Sequence, residues 1–122
     1  MKDNLQKEEL PIVDFTQLLR TIGGDKEDLK ELLQCFLEEY PIQQGNIEKA
    51  VKNKDAVLLK KHCHKMKGSL QLLRATECYN LVCELEKLSI SSDLKETPEI
   101  CKKLCGELER LSIILDNKKK TL

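Results

Sequence analysis

From Leu29 almost to the end of the chain, apolar residues return every three or four positions and nowhere alternate with polar ones. That period lays a stripe along one face of a helix and leaves no stretch suited to a half-buried strand. Leu29, Leu32, Leu33, Phe36, Leu37, Tyr40, Ile47 and Val51 form the longest stripe. Pro41 falls inside it and removes a backbone donor, but the pattern resumes in register afterwards, which predicts a kink and not a break. A third helix is expected over residues 56–74 and a fourth over residues 76–90, the latter striped by Cys78, Leu81, Val82, Leu85 and Leu88. The last helix opens near Pro98, carries Ile100, Leu104, Leu108, Leu111 and Leu115, and is expected to fray into "NKKKTL".

Helix starts and stops are marked as clearly as the stripes. Asp14, Asp25 and Asp55 stand just before helical patterns, where an acceptor side chain can cap the first turn. Asp14 would open a short helix over residues 15–22, which Gly23 and Gly24 would stop. The expected fold is all-α: an antiparallel four-helix bundle with an additional short N-terminal helix. Residues 1–13 are expected to form a polar arm, 14–116 the bundle and 117–122 a basic tail.

Composition narrows the function classes. At 122 residues there is room for one domain with a single core. Lys plus Arg and Asp plus Glu are equal at 21 each, so no polyanionic partner is implied by bulk charge. Aromatics make up only 3%, too few for stacking platforms, and no nucleic-acid binding is expected. No apolar run is long enough for membrane insertion, and the opening "MKDNLQKEEL" lacks a signal-peptide core, so a cytoplasmic location is expected. The six cysteines sit within helical patterns and read as reduced thiols, mostly small buried hydrophobes.

The chemistry is concentrated in "LLKKHCHKMKGSLQLL", residues 58–73. At about 100° per residue, Lys60, Lys61, Lys67, Gly68 and Gln71 fall within about 60° of His64. Leu59, His62, Cys63, Met66, Leu70 and Leu73 fall on the other side. The two histidines therefore diverge; His62 reads as a packed residue at the core margin and His64 as an exposed one. Gly68 costs the helix about 1 kcal/mol relative to alanine, which is reasonable if a partner must come close to the imidazole. Lysines around His64 favour its neutral ring and would offset the charge of a phosphoryl group bound there. Gln71 could donate a hydrogen bond to such a group. These residues describe a nucleophile prepared to hold phosphate.

"HKMKGS", residues 64–69, resembles the His-x-x-Lys-Gly-Ser signature of histidine-containing phosphotransfer (HPt) domains of two-component phosphorelays. Asp55 before the histidine, Ala75 after it, "CELE" at residues 83–86 and Pro41 in the preceding helix agree with the family, and the similarity spans residues 15–115. The resemblance implies that His64 accepts a phosphoryl group from a receiver-domain phospho-aspartate and relays it to another receiver. The partners implied are the receiver domains of a hybrid sensor kinase and a response regulator, met by a monomer. Lys67 would lie beside the phosphate, Gly68 would permit the receiver's approach, and Ser69 would be a small packing residue. Arg74 departs from the family, which often carries glycine at that position.

Such a protein is a phosphoryl carrier and not an enzyme with its own ATP site; "IGGDKED" reads as a turn before a capped helix. No cofactor is expected on this chain, since Mg2+ belongs to the receiver. A Cys/His metal site built from His62, His64, Cys101 and Cys105 is disfavoured by the diverging histidines and the lack of a CxxC pair, so no metal is expected. An adaptor that binds receivers without being phosphorylated is the remaining alternative.

Overall fold

The computed structural model describes residues 13–122, all of whose regular elements are helices. They are α1 (Phe15–Thr21), α2 (Lys26–Lys52), α3 (Ala56–Leu73), α4 (Thr76–Ser91) and α5 (Thr97–Thr121). The N-terminal arm expected from the sequence lies, but for Val13, outside the described residues.

Local chemistry sets the helix starts. Asp14 accepts a hydrogen bond from the Gln17 amide at 3.1 Å, Asp25 from that of Glu27 at 2.8 Å, and Asp55 from that of Leu58 at 3.1 Å. Each satisfies one of the donors left orphaned in a first turn. Pro98 lies in the first turn of α5, where its missing N–H costs nothing. Pro41 sits within α2 at an exposed position, and the helix continues through it to Lys52.

Four helix ends share a different device. Gly23, Lys54, Arg74 and Ser92 each adopt positive φ just past a helix, at 97°, 53°, 55° and 59°. After α3, the Arg74 amide donates to the Gln71 carbonyl and the Ala75 amide to that of Leu70, both at 3.0 Å. This pattern closes a helix through a left-handed residue, and glycine suits it best. Only the end of α1 uses glycine.

Short connections at residues 53–55, 74–75 and 92–96 force consecutive long helices to run antiparallel. The four close into a ring in which α3 packs on α2 and α4, and α5 on α4 and α2; α1 leans on α2. Leu33, Ile47, Leu59, Met66, Leu70, Val82, Leu85, Leu104, Leu108 and Leu111 are fully buried along the axis. Cys63, Cys78 and Cys101 are buried among them, Cys83 and Cys105 are half-buried, Cys35 is exposed, and all six are free thiols. Burial pushes the Cys63 and Cys78 thiols up to about 12. No helix among the described residues is long and apolar enough to cross a membrane.

The C-terminal fraying expected from "NKKKTL" does not occur, because α5 stays helical to Thr121. Lys118, Lys119 and Lys120 stand in its last turn, where positive charge complements the helix dipole. They also find partners: Lys118 lies 5.4 Å from the centre of the Phe15 ring, Lys119 donates to the Gln34 side-chain oxygen, and Lys120 pairs with Asp116 at 3.2 Å. A lysine run that looks solvated in sequence here ties the bundle's end to α1 and α2.

Candidate functional site

Helix α3 carries the candidate residues on its outer face, opposite the stripe of Leu59, Cys63, Met66, Leu70 and Leu73 that fills the core. The His64 side chain is 74% exposed. His62 lies half-buried on the other side, and burial, with help from Lys61 and Lys65, lowers its pKa. The two rings therefore diverge as the helical period requires, and they cannot grip one ligand together.

The charge around His64 is more mixed than α3 alone suggests. Glu86 of α4 reaches across, its Oε2 3.4 Å from His64 Nδ1. Its other oxygen, Oε1, accepts a hydrogen bond from Lys67 Nζ at 2.7 Å. The Glu86 side chain is only 13% exposed and that of Lys67 27%, so this link lies in the seam between α3 and α4. The Lys67 bond holds the Glu86 carboxyl below its usual range, with His64 a smaller contributor, and in return raises the lysine ammonium. The cationic neighbourhood expected from sequence is thus corrected: one carboxylate faces the imidazole and engages the very lysine expected beside a phosphate.

Farther out the expected residues separate into two groups. Lys60 and Lys61 join Val57, Lys65 and His64 around a shallow depression on the N-terminal side of the ring. Gln71 lies toward the C-terminal end, lining a groove with Leu70, Arg74, Thr76 and Tyr79. Between them Gly68 is exposed, and apart from its two chain neighbours and the helix's own backbone no described atom lies within 4 Å of where its Cβ would stand. The fold itself does not require glycine there. Ser69 turns toward α2, near Leu32, Cys35 and Phe36, as a small packing residue would.

Glu86 is the residue that single-helix reasoning passes over, because its partner lies on another helix. A hairpin that closes at Ala75 sets residues equidistant from it opposite one another, and His64 and Glu86 each stand eleven positions away. That register, with an acidic residue set opposite a lysine-rich helix, is the signal from which the contact could have been found.

Chemically the arrangement offers a largely exposed imidazole whose Nδ1 faces a carboxylate, with lysines nearby and an unobstructed turn beside it. The sequence model of the family described as Hpt domain matches residues 31–113. Among solved structures, the histidine-containing phosphotransfer protein B (HptB) from Pseudomonas aeruginosa PAO1 superposes with a TM-score of 0.85, covering 93% of this chain and 99% of that one. At 18% identity that likeness speaks for the fold. No curated protein sequence matches the chain.

Proposed function

The chain belongs to the Hpt domain family, and within the histidine phosphotransfer of two-component signalling which that membership assigns to it, we propose that His64 is the phosphoacceptor. The observation that carries this reading is the state of the ring: 74% exposed, backed by Glu86 at Nδ1, and next to the unfilled turn at Gly68. Nε2 is the nitrogen a partner can reach.

That geometry supports the following transfer. The lone pair on Nε2 attacks the phosphorus of a receiver's phospho-aspartate; the N–P bond forms as the acyl O–P bond breaks, and the aspartate carboxylate leaves. The reverse step delivers the phosphoryl group to a second receiver. Charge on the transferring oxygens is met from the receiver's side by Mg2+ and from this side by Lys60, Lys61 and Lys67. Gln71, one turn beyond Gly68, is assigned a hydrogen bond to the docked receiver or to the phosphoryl oxygens as part of this proposal. Gly68 lets the receiver's backbone approach the ring. The chain acts as a monomeric carrier between the receiver of a hybrid sensor kinase and that of a response regulator, without an ATP site or cofactor of its own.

Incubation with phosphoramidate, a small phosphoryl donor, followed by intact-mass analysis tests the acceptor without a partner. Wild type is expected to gain one acid-labile phosphoryl group and His64→Gln none. Equal labelling of both would overturn the assignment.

A further inference from the structure

With His64 taken as the phosphoacceptor that receivers dock upon, as proposed above, we propose that Arg74 determines which receivers are served. Its guanidinium pairs with an Asp or Glu side chain of the docked receiver, and that side chain enters the groove which Arg74 lines with Leu70, Gln71, Thr76 and Tyr79. The polar side chains of this groove are a guanidinium, an amide, an alcohol and a phenol, all able to donate hydrogen bonds, and no carboxylate lines it. A carboxylate is therefore the group the groove is equipped to receive.

The groove continues the face that carries His64. At about 100° per residue, Gly68 and Gln71 fall within about 40° of His64, so the three follow one another along the outside of α3. The groove begins where that row ends, and Arg74 lies ten residues beyond His64, about 15 Å along the axis. A protein interface of ordinary size covers about 800 Å² on each partner, which as a disc reaches about 16 Å from its centre. A receiver centred on His64 thus extends to Arg74. The charge of the face suits an acidic partner as well: α3 contains Lys60, Lys61, Lys65 and Lys67 and no Asp or Glu.

The fold itself makes no use of the Arg74 side chain. The bonds that close α3 come from the amides of Arg74 and Ala75, and the Thr76 hydroxyl donates to the Arg74 carbonyl at 3.4 Å, so all three engage backbone. Arg74 is exposed and forms no ion pair among the described residues, although Glu77 stands only three positions on. At a φ of 55° glycine would be the cheaper choice. A residue other than glycine at a helix end is not by itself a sign of function, because Lys54 and Ser92 share the geometry. What separates Arg74 from them is place: Lys54 lines a groove between α2 and α5, the seam opposite α3 and α4, and Ser92 carries no charge.

The test is phosphoryl transfer to purified receiver domains of response regulators from the same organism. Wild type, Arg74→Gly and Arg74→Glu are first loaded to the same extent with phosphoramidate. For the receiver that wild type serves fastest, Arg74→Gly is expected to lower kcat/KM about threefold to tenfold and Arg74→Glu more than about tenfold, through KM and not kcat. Both losses should shrink as salt is raised. Among charge reversals of that receiver's surface Asp and Glu residues, one is expected to restore transfer from Arg74→Glu and to weaken it from wild type. Glycine suits the backbone at this position, so Arg74→Gly remains readable if Arg74→Glu does not fold. Both variants matching wild type with every receiver overturns the inference, as does a loss confined to kcat. A wild-type dimer that Arg74→Glu dissociates without slowing transfer gives the groove to a second copy of the chain and overturns it too. Wild type that loads at a residue other than His64, or passes phosphate to none of the receivers, overturns instead the reading on which the inference rests.

Discussion

At the scale of single residues, His64 and Lys67 meet one carboxylate from two sides, and Gly68 leaves the next turn bare. Because nothing occupies the space at Gly68, alanine there should raise helix stability by about 1 kcal/mol, measured by thermal or urea unfolding. A larger residue such as glutamine should leave the protein folded and slow transfer from a receiver, so receiver-dependent rates at or above wild type in such a variant would show that the glycine does not serve access. His62→Gln should leave phosphoramidate labelling unchanged, since that ring lies half-buried on the far side of α3. The divergence of the two histidines was legible in sequence because it depends only on the helical period. Glu86 was not, because its position relative to His64 is set by the register between two helices.

At the scale of elements, the three aspartate caps were readable because each acts within its own first turn. The C-terminal ends were harder: Lys54, Arg74 and Ser92 do by backbone geometry what glycine does more cheaply. Arg74 occupies the position at which the family often has glycine, and its left-handed φ of 55° supplies the physical reason for that preference. Lys54→Gly, Arg74→Gly and Ser92→Gly should each stabilise the protein by roughly 0.5–1 kcal/mol, visible as a higher Tm. The lysine-rich end of α5 was misread for the opposite reason, since its partners Phe15 and Gln34 lie on distant segments.

The α3–α4 seam also carries a pH signature. The Glu86 carboxyl is held below its ordinary 4.5, so its contribution is present above that value and lost as pH falls through the folded-state value. Lys67 is raised above 10.5, so its contribution is present below that value and lost as pH rises through the folded-state value. The stability difference between wild type and Glu86→Gln should therefore be level across the neutral range and shrink toward zero in acid, as followed by urea unfolding at several pH values.

At the scale of the whole molecule, one core serves the four long helices of the described residues, and the outer face of α3 carries His64. Leu85→Ala, which empties a fully buried site, should cost about 2–5 kcal/mol in chemical unfolding. The bundle was legible because apolar spacing and short connections together leave few ways to pack helices of these lengths. The proposed role of the molecule is that His64 passes phosphate between two receivers. The most direct measurement of that role is a chase of radiolabelled phosphate from a phosphorylated kinase receiver domain, through this chain, to a response-regulator receiver domain. Label that reaches the second receiver with wild type and not with His64→Gln is the predicted result. Label that crosses equally well with His64→Gln would contradict it.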